Sequence, residues 1–154
     1  MLISGKHFQN AYVTRDAEAA VERLRATADV RFHVINDFND METWTPEGMT
    51  SMSMRLALVW VDDMQYEFVQ PLAYSSLFSP ALPEGNGLVH HHTAVRVEDW
   101  DSFAEEVKKS PFPIVMKGEI GDCKYMYLDT RDMLGHVMEF AYLPDAMWAQ
   151  IGGR

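Results

Sequence analysis

Few side chains in this chain of 154 residues are placed to act as nucleophiles. The one cysteine, Cys123, precedes a strand-like run and has no histidine paired with it in sequence. A thiol needs such a partner to become a reactive thiolate. Ser75, Ser76 and Ser79 lie in a stretch before several prolines and glycines and show no triad pattern. Carboxylates and imidazoles are better candidates, because they can move protons or ligate metals. Glu67 and Glu139 each sit within a strand-like run, Gln65–Pro71 and His136–Tyr142, and His90, His91 and His92 follow one another. Taken singly, either Glu is equally well a solvent-face residue of an antiparallel sheet. Gln9 alone is a polar strand residue, and any of the three histidines could be an edge or loop residue.

The elements that must position these residues occur twice. Gln9–Asp16 reads as a strand ending on a helix N-cap, and Ala17–Ala26 follows with Ala20, Val21 and Leu24 at helical spacing. His92–Asp99 repeats the pattern, and Trp100–Lys109 follows with Phe103, Ala104 and Val107 as its apolar stripe. Gln9 thus maps to His92, and this register singles out His92 from its neighbours. The second halves also correspond. Leu56–Asp63 with Gln65–Pro71 matches Tyr125–Asp129 with His136–Tyr142, so Glu67 maps to Glu139 at a smaller offset. The first copy therefore carries extra residues, expected as a loop over Asn39–Thr50, which contains Pro46 and Gly48. Phe32–Phe38 and Pro113–Gly118 supply the remaining strands.

The expected architecture is α+β, with the order β-α-β-β-β twice. One unit alone would leave an apolar face and an open edge, and two units side by side form a cupped mixed sheet. A single domain over residues 1–154 is expected, with module one at about 7–72, a linker at about 73–88 and module two at about 89–143. The linker's Gly85-Asn-Gly87 is not a phosphate loop, because a strand follows it rather than a helix.

In order and spacing these motifs resemble the vicinal-oxygen-chelate superfamily of glyoxalases, epimerases, bleomycin-resistance proteins and extradiol dioxygenases. The residues that carry the resemblance are Gln9–Asp16, His92–Asp99, Tyr66–Pro71, Gly87–His92 and Leu134–Glu139. Gly87–His92 and Tyr127–Thr130 look closest to the methylmalonyl-CoA epimerase and glyoxalase-like branch. The resemblance implies a glyoxalase-like fold and four cup-lining positions able to hold one divalent metal ion. Carried over, these are Gln9, Glu67, His92 and Glu139. Their order resembles the human-type glyoxalase pattern, whereas the usual epimerase pattern has His first and Gln second. Three oxygens and one nitrogen suit Zn²⁺, Mn²⁺, Ni²⁺, Co²⁺ or Fe²⁺ with two positions left open.

The implied partner is a small-molecule substrate with a carbonyl and a neighbouring oxygen. The implied enzyme is a metal-dependent isomerase, epimerase or lyase that abstracts a proton beside the carbonyl and stabilises an enediolate. Glu139 is the first candidate base and Glu67 the second. Arg96 shares the His92 face by period two, so it is either a handle for a substrate anion or a strand-end partner for a nearby carboxylate. Tyr127 is a candidate substrate-binding wall, as are Trp44, Trp60 and Tyr125, with core packing as the alternative. Human-type glyoxalases carry an arginine for glutathione where this chain has Val13, so glutathione is disfavoured. Two other functions stay open: a metal-free small-molecule binding or resistance protein, and a non-haem iron extradiol-type dioxygenase, which normally wants two histidines and one carboxylate.

Composition limits the alternatives. A formal net charge of −10 argues against nucleic-acid and anionic-membrane partners. No apolar run approaches the ~20 residues of a bilayer span, and Met1–His7 is too short and polar for a signal peptide. With one cysteine there is no internal disulfide, and a cytoplasmic, soluble protein is expected. A homodimer is implied by the resemblance alone. The eleven methionines could line an adaptable pocket, but they read rather as core filler, with Met52, Met54, Met126 and Met138 in strand-like runs.

Overall fold

The computed structural model describes residue 2 and residues 5–154. Met1, Ile3 and Ser4, part of the stretch judged too polar for a signal peptide, lie outside the described residues. The first half of the chain forms β1 (Lys6–Val13), α1 (Ala17–Arg25), β2 (Val30–Thr45), β3 (Gly48–Val61) and β4 (Met64–Pro71). The second half forms β5 (Val89–Val97), α2 (Trp100–Val107), β6 (Ile114–Ile120), β7 (Cys123–Leu128), α3 (Arg131–Leu134), β8 (Val137–Tyr142) and α4 (Asp145–Gln150). Both helices that follow a first strand start as the sequence predicts. The Asp16 carboxylate accepts from the Ala19 amide at 2.9 Å, and Asp99 accepts from the Ser102 amide at 3.0 Å. Each satisfies a backbone donor that the first turn leaves unpaired.

The eight strands close in the order β1-β4-β3-β2-β6-β7-β8-β5. Each half contributes four neighbours in equivalent order, which is the two-module, glyoxalase-like cup. β1–β4 and β5–β8 pair in parallel, and the other neighbours are antiparallel. The two halves meet along β1–β5 on one side. On the other they meet through a short β2–β6 contact, Thr43 with Gly118 and Trp44 with Lys117. The helices cover the outside. Ala17, Ala20 and Val21 of α1 pack on Ala57, Val59 and Phe68, while Phe103 and Val107 of α2 pack on Val95, Met126 and Phe140. Removing these side chains from water is worth roughly 1.5–3 kcal/mol for each large one.

The loop expected over Asn39–Thr50 is instead the outer half of a long β2–β3 hairpin, paired from Val30–Val61 to Thr45–Gly48. Pro46 and Glu47 alone form the tip. Thr43 and Thr45 are buried, as are Met52 and Met54 on β3. The turn residues punctuate only two positions, and β-branched threonines alternating with Met41 and Trp44 carry the strand to them. A kink falls at Asp40, which has a φ of 53° where the β2–β3 register shifts between Phe38 and Met41.

The segment between β4 and β5 is not slack. Ser75 Oγ accepts from the Phe78 amide, and Ser79 Oγ accepts from the Ser75 amide, so these serines build a turn. That turn buries Phe78 against the cup. Helix α4 was not anticipated. Its Trp148 packs edge-on against Phe8 and Trp60, with ring centres at 5.0 and 5.4 Å. Among the described residues, no helix is long and apolar enough to cross a membrane.

Candidate metal centre

Strand register explains how distant residues meet. β1 lies between β4 and β5, and Ala11 is opposite both Glu67 and His92. One row along, Ala94 on β5 is opposite both Gln9 and Glu139. The positions therefore obey the internal two-fold: Gln9 with His92, Glu67 with Glu139, Ala11 with Ala94. Both alanines are fully buried. Strands are about 4.8 Å apart, so two long side chains flanking a small one can lean together over it.

They do converge. His92 Nε2 is 3.2 Å from Glu67 Oε2 and 3.0 Å from Glu139 Oε2. The three ligand-type atoms all lie within 4.8 Å of one another. Yet Glu67 Oε2 and His92 Nε2 are buried without a partner in hydrogen-bonding geometry. Gln9 lines the same cavity, and its Nε2 donates to Gln65 Oε1 at 2.6 Å while its Oε1 stays buried and unpartnered.

The histidine run explains which imidazole nitrogen is available. His91 Nε2 lies 3.2 Å from the Leu77 carbonyl, which can only accept, so Nε2 carries the proton. Burial first, and then the charge of His92, push His91 down to about 3, so its ring is neutral and its Nδ1 is a lone pair. His92 Nδ1, 2.9 Å away, must then donate. That leaves His92 Nε2 facing the two carboxylates. Burial opposes a charge on His92, but the Glu139 and Glu67 carboxylates close beside it outweigh that and lift the group to about 9. Burial likewise raises Glu67, with His92 opposing and Glu139 adding to the rise.

Two carboxylates, Glu67 buried and Glu139 partly so, against one imidazolium leave an uncompensated negative charge largely shielded from water, which is costly. A divalent cation with neutral His92 removes the imbalance and gives the orphaned Glu67, His92 and Gln9 atoms a partner. An orienting hydrogen bond on the far nitrogen, here supplied by His91, is also what metal-bound histidines usually have. The donor set fits the ion. The part played by His91 is not legible in sequence, since a tautomer chain depends on where the Leu77 carbonyl lies.

The centre opens onto a cavity of about 270 Å³ inside the cup. Tyr127 lines it, opposite Glu139 in the β7–β8 register and edge-on to His92 at 5.0 Å. Burial, then Glu139 and Glu67, keep its hydroxyl protonated well above the usual range. Tyr125 also lines the cavity and donates to Thr43 Oγ1 at 3.0 Å. Its ring lies over Gly118, where a side chain would collide with it. Arg96 is placed elsewhere. Its guanidinium donates to the Leu143 carbonyl and to Asp145, each at 2.8 Å, and sits over the Trp148 ring. It clamps α4 and does not line the cavity. Trp44 and Trp60 do not line it either. Met52 and Met54, read as core filler, do line it, whereas Met126 and Met138 lie in the core under α2. Cys123 borders the cavity as a thiol, pushed up to about 12 by burial and then by Glu139.

The family described as the Glyoxalase/Bleomycin resistance protein/Dioxygenase superfamily matches residues 8–127. This chain belongs to that family. Among solved structures, it is similar to a hypothetical protein from Bacillus halodurans, at 15% identity and a TM-score of 0.66, covering 92% of this chain and 96% of that one. A Streptomyces coelicolor methylmalonyl-CoA epimerase variant in complex with 2-nitronate-propionyl-CoA is similar at 19% identity and a TM-score of 0.66, covering 93% and 96%. The Mycobacterium tuberculosis methylmalonyl-CoA epimerase is similar at 16% identity and a TM-score of 0.65, covering 97% of each chain. At such identities the likeness concerns the fold. No sequence among curated proteins matches the chain.

Proposed function

We propose that this member of the superfamily is a metal-dependent isomerase, epimerase or lyase that abstracts a proton from carbon beside a carbonyl. The observation that carries the proposal is the convergence of Glu67, His92 and Glu139, with orphaned buried atoms, beside the cavity that Glu67 and Glu139 line. Glu67, His92 and Glu139 would hold one divalent ion, with Gln9 as the fourth and weakest ligand. When bound, the ion would supply Lewis acidity to a substrate's carbonyl and neighbouring oxygen.

Glu139 is the base in this proposal. It borders the cavity, and its side chain is 12% exposed against 8% for Glu67, so it is the carboxylate more open to a ligand. Glu67 is the alternative base. The protonated Tyr127 hydroxyl stands beside Glu139 as a donor toward developing negative charge. Oxygen-dependent ring cleavage fits less well, because only one histidine reaches the centre. His91 is committed to Leu77 and His92, and the His90 ring sits against Tyr12 and His136.

Elemental analysis after dialysis against Zn²⁺, Mn²⁺ or Ni²⁺ should find about one ion per chain. Phenacyl alcohol, a carbonyl beside a hydroxyl, is a suitable probe of proton abstraction in D₂O. Metal-loaded protein should speed deuterium entry into its CH₂ group, followed by NMR. Glu139→Gln should keep the circular dichroism spectrum and abolish that acceleration. Undiminished exchange in Glu139→Gln would end the role of Glu139, and a chain that takes up no metal would end the proposal.

A further inference from the structure

The cavity has two unlike ends. At one, Gln9, Gln65, Glu67, Glu139 and the two tyrosines gather the polar atoms. The rest is apolar. The β2–β3 hairpin contributes Phe38, Met41, Met52, Met54, Leu56 and Leu58. The β4–β5 connection adds Phe78, and α4 adds Met147 and Ile151. Away from the ligand end, the polar residues reaching the cavity are the amides Asn36 and Gln150.

Among the described residues, no lysine or arginine lines this cavity, and the imidazole beside it, His92, is already held against Glu67 and Glu139. Three cations close behind the barrel walls are engaged by other groups, although Arg31 Nη2 is buried without a partner. Arg96 is bound to Leu143 and Asp145, and Arg31 stacks on Trp60 and donates to the Gly152 carbonyl. Arg55, on the same hairpin, is paired with Asp37 and Glu18. Inside, two carboxylates against one divalent ion leave no positive charge to spare. The chain as a whole carries a formal net charge of −10, which does not attract anions either.

From this lining we infer that the substrate, beyond its two chelating oxygens, is uncharged and mainly apolar, as in an aryl or alkyl hydroxyketone. A carboxylate or phosphate on that part would be stripped of water and meet no partner, which weakens its binding. An apolar body instead buries its surface against flexible methionines, which fit many shapes. The size agrees. About 270 Å³ lies just below the ~300–1,000 Å³ of pockets that enclose drug-sized ligands. The inference rests on the chelation proposed above for the position of the two oxygens, but the charge preference comes from the lining alone.

The test compares phenacyl alcohol with its para-carboxylate by calorimetry, on zinc-loaded and on metal-free protein at pH 7. The uncharged probe should bind more than about tenfold tighter to both. Equal or tighter binding of the carboxylate, or no binding of phenacyl alcohol to either form, overturns the inference. If the preference holds but phenacyl alcohol binds equally well with and without zinc, the substrate class stands and chelation fails. Asn36→Lys places a cation among the apolar lining and should narrow the preference. A folded Asn36→Lys that leaves the preference unchanged counts against a lining-based cause.

Discussion

Metal binding at this centre should release protons, and the amount follows from one nitrogen. His92 Nε2 faces Glu67 and Glu139, and in the metal-free protein the group is lifted to about 9. At pH 7 it is then about 99% protonated, since the difference is about two pH units. A ligand nitrogen must be unprotonated, so each ion bound at pH 7 displaces about one proton from His92. Glu67 is raised too, so any proton it holds adds to the count. Each pH unit corresponds to ~1.4 kcal/mol, so the proton competes with the ion by roughly 3 kcal/mol at pH 7. His92 is fully buried, so solvent screening does not reduce this competition. Apparent affinity for Zn²⁺ should therefore rise about tenfold per pH unit from pH 6.5 to 8.5. Calorimetric titration in buffers of different ionisation enthalpy gives the proton count, and competition with a chelator gives the affinity. A proton count near zero, or an affinity flat over that range, would refute the charge state assigned to His92 and the hydrogen-bond chain behind it.

Two further outcomes follow from the same contacts. In the metal-free protein, the stability due to His92 is complete below about 6.5 and is lost as pH rises toward 9, because its folded value is raised. His91 is depressed, so its contribution is lost as pH falls below about 6.5 toward 3. Denaturant melts should thus show maximal stability near pH 6.5, and a stability that climbs from pH 6.5 to 9 would contradict the arrangement. Arg96→Ala should destabilise the fold by about 1–3 kcal/mol, since it removes a charge-assisted hydrogen bond to the Leu143 carbonyl and the Trp148 contact. Its zinc affinity should stay at the wild-type value, and a loss of affinity without loss of stability would return Arg96 to the site.

The repeat made most of the fold legible, because N-capping aspartates and alternating strands are local signals. Asp16 and Asp99 mark equivalent helix starts whatever surrounds them. The candidate positions Gln9, Glu67, His92 and Glu139 could be picked out for the same reason, since equivalent residues of a duplicated unit fall around one axis. What escaped depends on contacts remote in sequence. The outer half of the β2–β3 hairpin looks like a loop when Pro46 and Gly48 are weighed without the cross-strand pairing that orders them. Helix α4 is short, and it is held by Trp148 against Phe8 and Trp60 and by the Trp60 Nε1 hydrogen bond to the Ile151 carbonyl. Period two placed Arg96 on the face of His92, but a strand face changes surroundings along its length. At Arg96 that face meets α4 rather than the cavity.

Duplication alone would make the two halves of the centre alike, and the departures from symmetry show how they came to differ. Each first-strand ligand needs a neighbour that fixes its orientation in a dry site. His92 takes its neighbour from its own strand, since His91 at the preceding position holds Nδ1. The equivalent of His91 in the first half is Phe8, which cannot do this and instead fills the apolar cluster with Trp60 and Trp148. Gln9 takes its neighbour from the next strand, where Gln65 accepts from its Nε2. The position equivalent to Gln65 in the second half is Val137, which has nothing to offer an imidazole. A register irregularity between His7 and Gln9 lets Phe8 and Gln9 both reach the cavity side. The backbone symmetry thus brings Glu67, His92 and Glu139 together and sets Gln9 in the lining of the same cavity. The two unrelated supports decide which atoms they present, an imidazole nitrogen on one side and an amide on the other.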